Sequence, residues 1–233
     1  MLSFSMTISI LITCTLVFLA TLVVHEAGHA AAGVSVGYQC TEISVGLGPR
    51  IWAATRCGVT FSLRLFAFAG AYCRLNVSEG RVPKTRERIY VALAGPLANI
   101  AIAFIAGYLV LGIGHTLDVI GQMGYAVGSL LLHPLHMVTV AIPQVGIVFD
   151  HMSIADRIAE LFIFVNLLVA ITNLMPFPCV DGGNVVFAIV RRIVGPAFAP
   201  VEGHLRFAGI TIVASLTVGQ ILFGLVKLGI LTN

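Results

Sequence analysis

The sequence contains four long stretches that are poor in charged residues, and these constrain the fold more than any other feature. They cover about residues 5–33, 88–113, 156–177 and 204–229. A helix needs about 20 mostly apolar residues to cross a bilayer. With a mean hydropathy of +1.02 and only 10% charged residues, the chain is too apolar for an ordinary soluble domain. We therefore predict a mainly α, polytopic membrane protein with about four transmembrane helices.

The distribution of basic residues predicts the orientation of these helices. Eight of the thirteen Lys and Arg residues lie between the first two stretches, whereas residues 114–155 contain none. Because Lys and Arg favour cytoplasmic loops, both termini are expected outside and the basic loop inside. The first 24 residues carry no Lys or Arg, so we predict a retained span rather than a cleaved signal sequence.

The connecting segments predict little additional structure. Residues 59–65 alternate apolar and polar side chains, which is typical of a half-buried strand, and we predict a membrane-associated β-hairpin over about 41–76. Residues 119–141 form an apolar segment that is either an interfacial helix or membrane-inserted. Five irregularly spaced cysteines argue against a disulfide framework. No nucleic-acid motif is present, and residues 1–233 are expected to form a single domain.

Two histidines and a glutamate lie at the end of the first apolar stretch, in the segment HEAGH. His25 and His29 are four residues apart, so on a helix both rings lie on one face and can bind one Zn²⁺. Glu26 lies beside that face, where it can take a proton from a zinc-bound water. Ionisable groups at membrane depth are costly and usually functional. The segment therefore predicts a catalytic zinc site.

A catalytic zinc usually has three protein ligands, so one ligand must come from elsewhere in the chain. At about 1.5 Å per helical residue, the first span reaches His25 near its cytoplasmic end, and the third span, running the same way, leads to Asp181. Pro176 and Pro178 break the helix beside Asp181. Irregular backbone at membrane depth is tolerated where it lines a buried site. The alternatives are Glu42, Glu79, Glu87 and Cys179. The same depth count excludes the outer histidines, His115, His133, His136 and His151.

Three motifs together resemble the signature regions of the site-2 protease family of intramembrane zinc metalloproteases. They are HEAGH (25–29), ALAGPLAN (92–99) and NLMPFPCVDGG (173–183), and the similarity covers about residues 20–110 and 155–230. The sequence is most similar to the bacterial branch that performs regulated intramembrane proteolysis. The resemblance implies one zinc ion held by His25, His29 and Asp181. It also implies Glu26 as general base and a substrate cleft bordered by Asn173, Pro176 and Pro178.

The sequence departs from the family pattern in two places. Many relatives insert PDZ domains between the second and third spans, but residues 114–155 are too few and too apolar for one. Asn184 stands where the family commonly has histidine after the DGG segment. Two further asparagines, Asn99 and Asn166, lie within predicted spans. Each can hydrogen-bond a metal ligand or join two helices, and both interpretations stay open.

The resemblance implies hydrolysis of a peptide bond within or next to the transmembrane segment of a single-span protein. Candidate substrates are an anti-sigma factor, a membrane-tethered regulator or a remnant signal peptide, cut in a bacterial inner membrane. An extended substrate could pair with the edge of strand 59–65 and contact Asn173. The rival hypotheses are a zinc transporter or sensor and an inactive adaptor. The oligomeric state and the natural substrate do not follow from the sequence.

Overall fold

The computed structural model describes residues 4–132 and 153–227, which form six α-helices and one two-stranded sheet. In chain order the elements are α1 (Phe4–Ser35), β1 (Gln39–Arg56), β2 (Val59–Asn76), α2 (Thr85–Leu111), α3 (Ile113–Leu132), α4 (Ile154–Leu174), α5 (Asp181–Val194), a 3₁₀ turn (Pro196–Phe198) and α6 (Ala199–Lys227). The prediction of a mainly helical chain with a small sheet after the first helix is confirmed.

All four predicted spans correspond to helices, namely α1, α2, α4 and α6. Among the described residues, α1 over Ile8–Ser35 and the whole of α2 are long and apolar enough to cross a membrane. Only 22% of the most apolar part of α1 and 28% of that of α2 is buried within the protein. A core helix of a soluble protein would be mostly buried, so this apolar surface is available to lipid. That α4 and α6 also cross the membrane stays a prediction.

A small apolar core joins α2, α3 and α4. It consists of Ala103, Val119, Ile163 and Leu167, each at most 6% exposed. The helix α3 starts directly after Gly112, the residue that separates it from α2. The φ angle of Gly112 is 76°, a conformation that favours glycine. The predicted segment 119–141 therefore begins inside a helix that packs on its neighbours, and its residues 133–141 lie outside the described part of the chain.

The sheet is more elaborate than the predicted hairpin. Residues 50–56 pair with 59–64 around a two-residue turn, Cys57–Gly58, in which both φ angles are positive, at 50° and 77°. Residues 42–45 pair with the other side of 60–63, and residues 39–45 pair with 71–76. Segment 60–63 therefore has strand neighbours on both sides, whereas 71–76 has a neighbour on one side only.

A buried carboxylate holds the sheet together. Glu42 is 5% exposed and accepts hydrogen bonds from Ser62 Oγ at 2.8 Å, Arg50 Nη2 at 3.1 Å and Arg64 Nη2 at 3.2 Å. Burial opposes ionisation, but the Ser62 and Arg64 hydrogen bonds hold the pKa of Glu42 below its ordinary value. These partners occupy Glu42 within the sheet, and it does not join the metal-ligand cluster described below.

Candidate metal centre

Three side chains from two distant segments meet near the C-terminal end of α1. His25 and His29 lie on one face of that helix, with ring centroids 4.8 Å apart. Asp181 Oδ2 lies 3.0 Å from His25 Nε2 and 3.2 Å from His29 Nε2, and the two Nε2 atoms are 3.2 Å apart. Within residues 4–132 and 153–227, this trio is the only cluster of three such side chains that could hold a metal ion.

The triangle of donor atoms fits a zinc ion. Tetrahedral zinc with bonds of about 2.0–2.1 Å separates its ligand atoms by about 3.3 Å, close to the three distances in the triangle. The carboxylate oxygen of Asp181 and both Nε2 atoms direct electron pairs at one point, an arrangement that a cation stabilises.

Two prolines set the position of Asp181. Met175 precedes Pro176 and is extended, with φ −62° and ψ 143°, because a residue before proline is disfavoured in a helix. Helix α4 therefore ends at Leu174, and α5 starts afresh at Asp181. A Cβ atom on Gly182 would clash with the carbonyls of Leu174 and Met175. Only a glycine allows the chain to return so closely to the end of α4.

Helix α2 orients both histidines from behind. His29 Nδ1 donates to the Val91 carbonyl at 2.7 Å, which leaves Nε2 free for a metal. Asn99 Nδ2 lies 3.2 Å from His25 Nδ1, while Asn99 Oδ1 is buried without a partner. A half-turn of this amide sets Oδ1 against the Nδ1–H of His25. This orientation lets His25 bind metal through Nε2, because the proton of the ring is then on Nδ1.

A glycine in α2 leaves room for the imidazole rings. A Cβ atom on Gly95 would clash with the ring of His29 and would lie 2.9 Å from His25 Nε2. Gly28 makes a similar close approach in the other direction, since a Cβ there would lie 2.6 Å from the Ala94 carbonyl oxygen. The small residues of HEAGH and ALAGPLAN thus let α1 and α2 pack closely at the metal centre.

Glu26 lies beside the triangle in a cavity of about 590 Å³, which we call the metal cavity. Its walls come from α1, β2, α2, α4, α5 and α6. Glu26 is 6% exposed, and Cys73 of β2 lines the same cavity. The cavity therefore holds three converging ligands and one carboxylate outside the ligand cluster, as a metal-assisted hydrolase requires.

Comparison with known proteins identifies the family. The model of Peptidase family M50 matches residues 13–216, which is most of the chain. The chain belongs to Peptidase family M50. The resemblance to the site-2 proteases is thereby confirmed, and zinc is the metal expected in the His25–His29–Asp181 centre.

Two curated relatives of this M50 chain carry zinc metalloprotease names. It is 29% identical to the "Putative zinc metalloprotease" of Chlamydia trachomatis over 132 aligned residues. The aligned region covers 48% of this chain and 21% of that protein. It is 30% identical over 77 residues to Zinc metalloprotease RasP of Shouchella clausii, which covers 33% of this chain and 18% of that protein. The matches thus span about a fifth of the length of these relatives.

The structure separates the other predicted site residues of this M50 chain into two groups. Asn173 and Cys179 line the metal cavity. Pro176 and Pro178 are not part of its lining, and Pro176 directly follows Met175, the residue that caps the end of α4. Asn166 also lies away from the cavity, and its Nδ2 donates to Thr21 Oγ1 at 3.0 Å and so joins α4 to α1. Neither Glu79, Glu87 nor Cys179 joins the ligand cluster.

A functional contact was missed because it depends on a neighbour distant in sequence. The Val91 carbonyl is a backbone group, which the sequence cannot mark as the partner of His29. The Gly95–Pro96 pair inside α2 was the one sequence signal that this helix packs closely on the site. Glycine and proline inside a helix usually have a packing or functional reason.

We expect Asn99→Ala to weaken zinc binding by about 10- to 100-fold, the usual cost of losing a hydrogen-bond partner of a metal ligand. Competition with a chromogenic chelator measures this affinity. Asn166→Ala is the matched control, because both asparagines are fully buried but only Asn99 contacts a ligand. Equal zinc affinity in the two variants would contradict the assigned role of Asn99.

Proposed function

We propose that this M50 protein is an intramembrane zinc metalloprotease. It hydrolyses a peptide bond within or next to the transmembrane segment of single-span membrane proteins. The observation that carries the proposal is the convergence of His25, His29 and Asp181 beside Glu26 in one cavity at the end of two apolar helices. A transporter would need ligands between both membrane faces, but the described residues contain one ligand cluster, at one end of α1.

Glu26 is the general base of this reaction. Bound zinc polarises the scissile carbonyl and lowers the pKa of water. A carboxylate oxygen of Glu26 takes the proton from the attacking water and later delivers it to the leaving amine. Glu26 lines the same cavity as the three ligands, which places this carboxylate beside the ligand cluster. The three ligands and Glu26 are at most intermediate in exposure, so the reacting atoms are largely shielded from bulk solvent.

We place the metal centre toward the cytoplasmic side of a bacterial inner membrane, with α1, α2, α4 and α6 as four spans and both termini outside. The position of the basic residues supports this orientation. The sheet, the start of α2 and the helix α5 lie at the metal end and carry many of them, whereas the pair formed by exposed His115 and buried Glu160 joins α3 to the opposite end of α4.

A substrate strand is best accommodated at segment 71–76 of β2. The expected docking site is the edge of the 59–65 hairpin, and residues 60–63 are not that edge because they have strand neighbours on both sides. Segment 71–76 has a neighbour on one side only, and Ala71, Cys73 and Leu75 line the metal cavity. A membrane helix has its amides paired internally, so it must unwind before cleavage. Strand addition to this edge would then hold the unwound segment next to Glu26.

Asn173 is suited to contact the substrate from the opposite wall. Its Nδ2 donates to the Val169 carbonyl of its own helix at 2.9 Å. The amide is therefore fixed, and Oδ1 is the atom that can accept a hydrogen bond from a substrate amide. This arrangement suits single-span substrates. Proteins of this class are anti-sigma factors, membrane-tethered regulators and remnant signal peptides.

The proposal is tested by cleavage of a single-span substrate by the purified full chain in detergent. We expect a chelator to abolish cleavage and one equivalent of zinc to restore it, because three protein ligands hold the metal reversibly. Mass spectrometry of the products locates the cut. Cleavage that continues without metal, or a cut far outside the transmembrane region, would contradict the proposal. Zinc uptake into vesicles without any cleavage would favour a transporter.

A further inference from the structure

Three arginines line the metal cavity in addition to the ligand residues. Arg88 comes from α2, Arg191 from α5 and Arg206 from α6, and Glu202 is the acidic residue among them. These three arginines and one glutamate give this part of the lining, which we call the arginine wall, a formal charge of +2. Charged groups in a partly closed cavity are normally matched by opposite charges. The other carboxylates that line the cavity are Asp181, which faces the two histidines, and Glu26, so Glu202 is the only acid within the arginine wall itself.

Glu202 accepts hydrogen bonds from only some of the guanidinium groups in the arginine wall. Its carboxylate accepts from Arg191 Nη2 at 2.6 Å and from Arg206 Nη2 and Nε at 2.9 and 3.2 Å. One carboxylate thus serves two guanidinium groups. Arg191 Nε is buried and has no hydrogen-bond partner. A buried N–H without an acceptor is costly, so this site has a donor for one further anionic group.

Arg88 is not neutralised at all within the described chain. Its side chain is partly buried, lines the metal cavity and makes no hydrogen bond or ion pair with residues 4–132 or 153–227. Arg81, a neighbour along the chain, is by contrast paired with Glu87 at 3.0 Å. An unpaired arginine in the cavity and an unsatisfied donor on Arg191 point to the same missing partner, an anion that enters with the substrate.

We propose that the arginine wall binds the side-chain carboxylate of a substrate Asp or Glu close to the cleaved bond. This inference rests on the proposed proteolytic function and adds a specificity to it. A round cavity of this volume is about 10 Å across, which an extended peptide crosses in about three residues. The acidic residue therefore lies within about three residues of the scissile bond, toward the cytoplasmic end of the substrate.

The proposed specificity would separate substrates from most other membrane proteins. Cytoplasmic flanks of transmembrane segments usually carry Lys or Arg, and the arginine wall repels these. An acidic flank is attracted, and guanidinium groups bind carboxylates in a bidentate and charge-assisted way. Attraction of acidic flanks and repulsion of the commoner basic flanks together discriminate between substrates better than either effect alone.

The test uses one single-span substrate with Glu, Gln or Lys placed in turn at each of the three positions on the cytoplasmic side of the cut. With the wild-type enzyme, we expect kcat/KM to be about 10- to 100-fold higher for Glu than for Gln at the best position, and lower still for Lys. These comparisons need no enzyme variant. Equal cleavage of the three substrates at every position overturns the inference, although the proposed function then stands. Cleavage of none of them contradicts the proposed function instead.

A charge swap identifies the residues responsible. Arg88→Glu should lose the preference for Glu and gain cleavage of the Lys substrate, while its zinc content stays at the wild-type level. Arg86→Glu is the matched control, since Arg86 is exposed on the same helix and does not line the cavity. It should keep the preference for Glu. An unchanged preference in Arg88→Glu overturns the inference. So does wild-type cleavage that ignores the substrate charge but depends on phosphatidylglycerol, because the arginine wall would then bind lipid phosphate.

Discussion

We expect Glu26→Gln to lower cleavage by at least about 100-fold while the protein keeps its zinc, because general-base catalysis contributes about 10²- to 10⁴-fold. The glutamine amide has nearly the shape of the carboxylate but cannot take a proton from water. Glu26 is outside the cluster of His25, His29 and Asp181, so the ligands are unchanged. The measurements are the cleavage rate of a single-span substrate and the zinc content of the purified protein.

Glu160→Gln is a matched control for this prediction. Glu160 is 3% exposed, much like Glu26, but it pairs with His115 at 3.1 Å, away from the metal cavity. This variant should keep cleavage even if its stability falls. Loss of zinc from Glu26→Gln would mean that Glu26 is a ligand, and full activity would mean that another group accepts the proton. Either result would contradict the role of Glu26.

The metal-ligand cluster was largely predictable because it depends on helical periodicity and on depth. His25 and His29 share a face through their i, i+4 spacing alone. Asp181 was found by counting residues along two spans that run the same way, with the helix break at Pro176 as support. Both are local properties of apolar helices, whose length is tied to bilayer thickness. The structure brings all three side chains within hydrogen-bonding distance of one another.

The remaining features depend on contacts that no local pattern records. The sequence predicted a break after α4 but not the helix α5 that follows it, since this helix is stabilised by packing on α2 and α4. The strand pattern at 59–65 was correct, but its two-sided pairing comes from residues 42–45 and 50–56. Likewise, Arg88, Arg191 and Arg206 meet only because three separate helices end at one cavity. Basic residues in loops indicate orientation, but they do not reveal such a cluster.

Gly95→Ala is expected to remove zinc from the protein without unfolding it. A Cβ at this position would clash with the His29 ring and crowd His25 Nε2. Moving α2 away to relieve this clash would break the close packing of Gly28 on Ala94. Helix propensity acts in the opposite sense, since alanine is favoured over glycine by about 1 kcal/mol in a helix interior. We therefore expect zinc content below about a tenth of wild type, with matching loss of cleavage, since the metal needs all three ligands.

Gly121→Ala separates this steric effect from helix propensity. Gly121 lies within α3, and a Cβ there would meet nothing within 4 Å. The same propensity gain applies, so this variant should keep its zinc and show an equal or higher Tm. Zinc content and Tm, measured for both variants, distinguish the steric effect from the effect of helix propensity. If Gly95→Ala binds zinc as wild type does, the histidines can move without losing the ligand triangle. Close packing of α1 on α2 would then not be what fixes the metal centre.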